Sequence, residues 1–192
     1  MALSFFISGF GSKDYSSEQL YALYRDSADI AFLQQLITLH GDALYYYLLR
    51  QSDRQLAEDI SQQCWLKLLE QPDGFGGNSS FKTWLFTVAR HCLIDELRRR
   101  SRWLAEDIAA PLVDTTTCPL QQLNVQQQQQ RWAAQLNVLP FLQREALMLQ
   151  LEGFTLAQIS QITAQGEETV KSRLRYAKQM LQQLNGASNE QA

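Results

Sequence analysis

The 192-residue sequence predicts an all-α protein built of two small helical domains joined by a flexible linker. Apolar residues recur at spacings of three and four almost throughout, and no stretch sustains the two-residue alternation of a half-buried strand. Prolines occur at 72, 111, 119 and 140 alone, each where a helix can begin or a loop can run. Between Ala105 and Cys118 the periodicity lapses, and Pro111 and Thr115-Thr116-Thr117 enter. These features divide the chain into an N-terminal extension (1–28), a first domain (29–102), a linker (103–118), a second domain (119–184) and a disordered tail (185–192).

The opening Met1–Phe10 has no basic segment, and its apolar run is short and broken, so it does not read as a signal peptide. No apolar run approaches the roughly 20 residues that span a bilayer. A cytoplasmic protein with no membrane insertion of its own is expected. Ser17–Tyr24 is a candidate extra helix. Asp29 can cap a helix through Ala31, Phe32, Leu36 and Leu39, which Gly41 should interrupt. A further helix carries Leu44, Tyr45, Leu48 and Leu49. Asp53 can cap another, with Leu56, Ile60, Cys64 and Leu68 along one line. Residues 71–78 form a loop rich in glycine, and Ser79 or Ser80 then opens a long helix to about Arg102. The Gln126–Gln130 tract reads as helix, since Leu120, Leu123, Trp132, Leu136 and Leu139 bracket it and glutamine is a fair helix former.

The net charge of −3 conceals an uneven distribution. Residues 1–89 hold six Lys/Arg against ten Asp/Glu, whereas residues 90–102 hold five Arg against Asp95 and Glu96. Residues 167–178 hold Lys171, Arg173, Arg175 and Lys178 against Glu167 and Glu168. Two short basic segments in an acidic chain suit two local phosphate contacts and a basic partner for the rest. Cys64, Cys92 and Cys118 are far apart and form no CxxC pair, so neither a disulfide framework nor a zinc site is expected. Cys64 and Cys92 lie on apolar helix faces and read as small buried hydrophobes. No metal, no cofactor and no catalysis are expected, because no nucleophile has an adjacent base and no glycine loop cradles phosphate.

In the second domain, Pro140 starts a helix closed by Gly153. Thr155-Leu156-Ala157-Gln158 has the form of a capping box and opens a short helix with Ile159 and Ile162. A longer helix follows Gly166, with Val170, Leu174, Ala177 and Leu181 as its buried stripe. Its opposite face shows Glu168, Ser172, Arg175, Tyr176 and Gln179, flanked by Thr169 and Arg173. A short helix, tight turn and longer polar-faced helix is the geometry that enters a major groove. An antiparallel helix pair with a solvated charged face has the same spacing.

In the first domain, Phe75–Asn78 leads through Ser79-Ser80-Phe81-Lys82-Thr83-Trp84-Leu85 into Ala89-Arg90-His91-Cys92-Leu93-Ile94-Asp95 and an arginine run. Leu85, Val88, Ala89, Cys92 and Leu93 share one helical face, and Arg90, Ile94 and Arg98 form a row on the other. A basic row beside an aromatic loop suits opened DNA, although Phe81 and Trp84 are more often core than base platforms.

This segment resembles conserved region 2 of the extracytoplasmic-function (ECF) group of bacterial RNA polymerase sigma factors, in the sigma-70 superfamily. Ala57–Lys67 resembles the helix by which that family docks on core polymerase. Leu139-Pro140 through Arg175, with Thr169-Val170-Lys171-Ser172-Arg173-Leu174, resembles its region 4. The resemblance implies core RNA polymerase, promoter DNA and an anti-sigma factor as partners. It implies core contacts at Glu58, Asp59, Gln62 and Gln63. The −10 element would meet the 74–80 loop and Ser79, Ser80, Lys82, Arg90, His91, Asp95, Arg98 and Arg99. The −35 element would meet Glu168, Thr169, Lys171, Ser172, Arg173, Arg175, Tyr176 and Lys178. Three departures stand out: Gly76 and His91 replace arginine and asparagine, and Ala164-Gln165-Gly166 replaces the usual glycine, apolar residue and proline. Two rival readings are a sigma-like decoy that binds an anti-sigma factor without initiating transcription, and a stand-alone DNA-binding regulator. Arg175→Ala should weaken −35 binding by about 1–3 kcal/mol if it reads a base; competition titration against scrambled DNA checks that the loss is sequence-specific.

Overall fold

Backbone N–H groups at a helix start lack partners unless a side chain supplies one, and the chain supplies one at each early turn. Ser16 and Gln19 form a reciprocal capping box at α1 (Ser17–Ser27). Asp29 accepts the Ala31 N–H at 2.9 Å to open α2 (Ile30–Gln51), and Asp53 accepts the Leu56 N–H at 2.8 Å to open α3 (Arg54–Glu70). A computed structural model describes residues 15–106 and 132–189. The opening decapeptide, Cys118, most of the expected linker, the Gln126–Gln130 tract and the last three residues lie outside that range.

The helix break expected at Gly41 does not occur, and α2 runs straight through it. Glycine inside a helix costs about 1 kcal/mol relative to alanine but removes no hydrogen bond. Leu33 and Leu36 before it and Leu44, Tyr47 and Leu48 after it are all buried in the same core. Burying such side chains is worth about 1.5–3 kcal/mol each, which outweighs the glycine.

The long helix α4 (Phe81–Glu106) is opened by Ser80, whose hydroxyl accepts the Thr83 N–H at 3.1 Å. It runs four residues into the segment read as linker. The N-terminal extension braces this start. Glu18 of α1 accepts the Phe81 N–H at 2.9 Å, so a carboxylate from a distant helix caps α4. The Tyr21 hydroxyl donates to the Pro72 carbonyl and accepts the Phe75 N–H at 3.1 Å, holding the 71–80 loop from beneath. Phe75 inserts between Tyr21, Phe81 and Trp84 with ring centroids 5.0–5.7 Å away. Phe81 is fully buried and thus core, as its residue type suggested. His40 packs on Phe81 and pairs with the Ser17 hydroxyl at 2.7 Å.

The second half is helical over 132–138 (α5), then α6 (Phe141–Leu151), α7 (Leu156–Thr163) and α8 (Glu167–Asn189). The expected capping box of Thr155 and Gln158 opens α7. Ala164 ends α7 in the left-handed region at φ 52° and ψ 43°, a conformation that a Cβ makes unfavourable by about 1–2 kcal/mol. The Ser160 hydroxyl donates to the Gln165 carbonyl and helps hold that turn. Residues 185–189, read as disordered tail, instead continue α8. Gly186 weakens a helix without breaking its ladder.

The halves pack together, α6 on α2 and α7 on α4, so the buried apolar side chains form one continuous cluster. Among the described residues every element is helical.

The Phe81 N–H holds the Glu18 carboxyl below the ordinary carboxylate range. Its contribution is therefore full above the unfolded-state value and is lost as pH falls through the lower folded value. Glu18→Ala should destabilise the fold by about 1 kcal/mol at neutral pH, the size of a lost helix cap. Denaturant melts should show that gap closing in acid.

Candidate nucleic-acid interface

Helical geometry puts Leu85, Ala89 and Leu93 of α4 into the core, fully buried, and leaves the Lys82–Arg98 side facing outward. The upper part of that face is not open. The Arg90 guanidinium donates twice to Glu145 of α6, at 2.7 Å and 3.3 Å. Glu145 is completely buried, and the Tyr47 hydroxyl donates to it at 3.3 Å. Burial, then the Glu145 charge, holds the Tyr47 phenol well above its ordinary pKa, so the proton stays in this bond. About two turns earlier on α4, the Lys82 ammonium donates to the Glu152 carbonyl at 2.7 Å and lies 3.6 Å from its carboxylate. The same ammonium sits 4.9 Å from the ring centre of Phe154, whose edge meets Phe86 at 4.9 Å. An edge-to-face pair adds about 0.5–1.5 kcal/mol beyond its buried area. Two ion pairs and an aromatic contact therefore seat the second half on α4.

The lower part of the face is exposed. His91, Asp95, Arg98 and Arg99 reach solvent. Arg98, 74 % exposed, approaches Asp95 only at 3.9 Å. Arg99 is held by both oxygens of Glu96, and Arg100 ties Glu96 to Asp53 at the start of α3. Ser79 is half-buried, while Ser80 is committed to capping α4. The α4 residues assigned from sequence to one surface thus fall into a covered pair, Lys82 and Arg90, and an open set around Arg98.

On α3, Asp59, Gln62 and Gln63 are exposed, whereas Glu58 is half-buried and pairs with Arg54 at 2.8 Å. Leu66 and Leu69 join the exposed side, 53 % and 40 % accessible. Sequence reasoning passed over them, although both fall off the buried Leu56–Leu68 stripe.

On α8, Val170, Leu174, Ala177 and Leu181 form the buried stripe. Glu168, Thr169, Lys171, Ser172, Arg175, Tyr176 and Lys178 are exposed. Glu168 holds the Lys171 ammonium at 2.6 Å, which neutralises the first cation of the helix. Arg173 differs from its neighbours: it is half-buried and reaches the Gln165 side chain of the turn at 3.4 Å. Arg175 and Tyr176 are the largest outward side chains between Glu168 and Lys178. Tyr47, Glu145, Glu152 and Phe154 were absent from the sequence reading. Glu145 lies within the Leu139–Arg175 segment that resembles region 4, but its partners lie on other helices.

Among the described residues, no group of three or more His, Cys, Asp or Glu side chains could hold a metal. No described helix is long and apolar enough to cross a membrane.

Sigma-70 region 2 matches residues 36–102, and sigma-70 region 4 matches residues 129–181. The ECF RNA polymerase sigma factor SigL of Mycobacterium tuberculosis is 32 % identical over 158 residues, covering 79 % of this chain and 87 % of that protein. The chain belongs to the ECF sigma factors of the sigma-70 family. EcfG of Rhodopseudomonas palustris is 30 % identical over 129 residues, covering 67 % of this chain and 70 % of EcfG. Among solved structures, the sigma factor RpoE of Bartonella quintana, in complex with the anti-sigma factor NepR, has a TM-score of 0.71 at 28 % identity. That similarity covers 82 % of this chain and 98 % of the RpoE chain. CnrH, in complex with the cytosolic domain of CnrY, shares the fold with a TM-score of 0.63 at 19 % identity, covering 88 % and 96 % of the two chains. In this ECF sigma factor, region 2 begins within α2, so the bracing helix α1 lies ahead of the matched segment.

Breaking a buried ion pair from one side leaves the other charge unpaired, at a cost of about 3–5 kcal/mol. Arg90 can escape that cost by returning to water if the regions separate. Glu145→Ala should therefore raise the radius of gyration in small-angle scattering, with helical circular dichroism unchanged.

Proposed function

We propose that this sigma factor binds core RNA polymerase and directs promoter recognition, DNA opening and transcription initiation. The observation that carries this reading is the pair of exposed polar helix faces, one in each matched region. His91, Asp95 and Arg98 lie on α4 of region 2, and Thr169, Ser172, Arg175 and Tyr176 lie on α8 of region 4. Region 4 reads the −35 element through α8 in the major groove, where arginine and serine can bond to base edges. Lys171 and Lys178 supply phosphate contacts that position the helix. Region 2 engages the opening −10 element through the 74–80 loop, Ser79, Lys82 and the α4 face. Extruding a base costs a few kcal/mol, which fixed contacts to phosphate and a shaped loop offset. The exposed side of α3, with Asp59, Gln62, Gln63 and the uncovered Leu66 and Leu69, docks on core polymerase. The work is recognition and positioning, with no bond made or broken, and it takes place in the cytoplasm where polymerase acts.

The Arg90–Glu145 and Lys82–Glu152 contacts add a condition. Promoter DNA reaches Lys82 and Arg90 only after regions 2 and 4 part. RpoE was solved in complex with the anti-sigma factor NepR, and a partner of that kind is proposed here. The decoy reading draws on the same contacts, since Lys82, Arg90, Arg99 and Lys171 all have acidic partners within the chain.

Reconstitution separates the two. Purified chain, core polymerase and a promoter library should yield run-off transcripts that share two spaced upstream elements; binding only an anti-sigma factor, with none to core, would establish the decoy. Changing Asp59 and Gln62 together to alanine should reduce co-purification with core polymerase while leaving thermal stability unchanged, since both side chains are exposed.

A further inference from the structure

The 71–80 loop carries glycine at 74, 76 and 77, so its backbone has many conformations to lose before it can hold one shape. The Gly74 N–H closes a turn on the Gln71 carbonyl at 3.0 Å. Further along, the backbone is held from α1. Tyr21 is buried, and its single hydroxyl serves two backbone groups three residues apart. It donates to the Pro72 carbonyl and accepts the Phe75 N–H at 3.1 Å. Those roles are fixed, because a carbonyl can only accept and an amide N–H can only donate. The Tyr21 ring also meets the buried Phe75 ring edge-on at 5.0 Å, so one side chain holds both the ring and the backbone of that loop residue. One turn earlier on α1, Glu18 accepts the Phe81 N–H at 2.9 Å. The loop is thus fixed from α1 at residues 72, 75 and 81. Its exposed tip, Gly76-Gly77-Asn78, lies between the last two. Gly77 turns that tip at a φ of 73°, in the left-handed region. The region 2 match begins at residue 36, so neither Glu18 nor Tyr21 belongs to it.

We propose that Tyr21, supported by Glu18, is a positioning residue for −10 recognition, which makes α1 a working part of the promoter reader. That role rests on the −10 contact proposed for the 74–80 loop. Being buried, Tyr21 acts through the loop and not on DNA. The hydroxyl presets the spacing of residues 72 and 75, and with it the path of the tip that receives an unstacked base. Without the hydroxyl, the Pro72 carbonyl and the buried Phe75 N–H lose this partner, and the tip must be ordered at the moment of binding. A Tyr21 that only filled the core would move overall stability and every activity together. A positioning Tyr21 alters base preference at the −10 element and leaves the −35 preference alone.

Tyr21→Phe keeps the buried ring and removes only the hydroxyl, so the fold is retained. The full chain, reconstituted with core polymerase, is assayed for open-complex yield on promoters randomised in either upstream element. Tyr21→Phe should lower the yield by about tenfold and flatten the preference for the favoured −10 base by a similar factor. Core affinity and −35 preference should match wild type. In the free chain, amide exchange at Phe75 should speed up about tenfold, with Leu85 and Leu93 in the core unchanged. A second variant, Asn78→Ala with Ser79→Ala, strips the polar side chains from the tip itself. Its loss should not add to that of Tyr21→Phe, since both act through one contact. If the tip variant keeps wild-type yield and −10 preference, the −10 reading of the loop fails and the positioning role falls with it. If the tip variant is impaired while Tyr21→Phe keeps the wild-type −10 preference, the positioning role alone is overturned. Fully additive losses, or equal flattening at both elements, overturn it as well.

Discussion

The buried carboxylate of Glu145 lies where both halves of the molecule meet, and the arrangement of the whole chain depends on how its charge is satisfied. Removing a carboxylate from water costs several kcal/mol unless paired and hydrogen-bonded groups replace the lost solvation. Arg90 of α4 supplies two donors and Tyr47 of α2 a third, so the charge is answered wholly from region 2. Such a pair contributes little net stability, because the desolvation of both ions offsets much of their attraction. It contributes register instead, since shifting α6 on α2 and α4 parts Glu145 from Arg90 and Tyr47 and leaves buried polar groups unpaired. Each ion belongs to a different region, and separating them returns both to water. The contact is therefore selective and reversible, as the proposed second role of this surface in promoter binding requires.

The same logic runs through the rest of the charge distribution. The segments that look basic in sequence carry less free charge than their counts suggest. Glu96 and Asp53 occupy Arg99 and Arg100, Glu152 occupies Lys82, and Glu168 occupies Lys171. Arg175 and Lys178 are exposed outside the ion pairs of the described residues and Arg98 only approaches Asp95 at 3.9 Å, so these cations mark where recognition can act at little cost in broken contacts. An acidic chain with few uncommitted cations suits the proposed role, in which core polymerase holds it on DNA, because unaided binding scales with the phosphates it can neutralise.

Region 2 is also shaped by a helix outside the matched segment. Glu18 and Tyr21 of α1 hold the start of α4 and the glycine-rich loop through three hydrogen bonds, all to backbone atoms. The aromatic ring of Phe75 anchors the loop from inside, leaving Gly76, Gly77 and Asn78 at its exposed tip. A loop pinned at its base and open at its tip pre-organises a contact at little entropic cost on binding.

Sequence by itself determined what short-range physics controls. Asp29, Asp53 and the Thr155–Gln158 box cap helices because a side chain needs only to reach two or three residues along the chain. The Val170–Leu181 stripe and the outward face of α8 follow from 3.6 residues per turn. The family was legible too, because Ala57–Lys67, Phe75–Arg100 and Leu139–Arg175 each carry their pattern within a short run of chain. The continuity of α2 through Gly41 was not, because glycine's local penalty is small and the burial that overrides it comes from other helices. Nor was the covering of Lys82 and Arg90, since nothing local marks Glu145 and Glu152 as partners of residues more than fifty positions away. Periodicity tells which way a side chain faces, and only the packing of one helix on another decides what it faces.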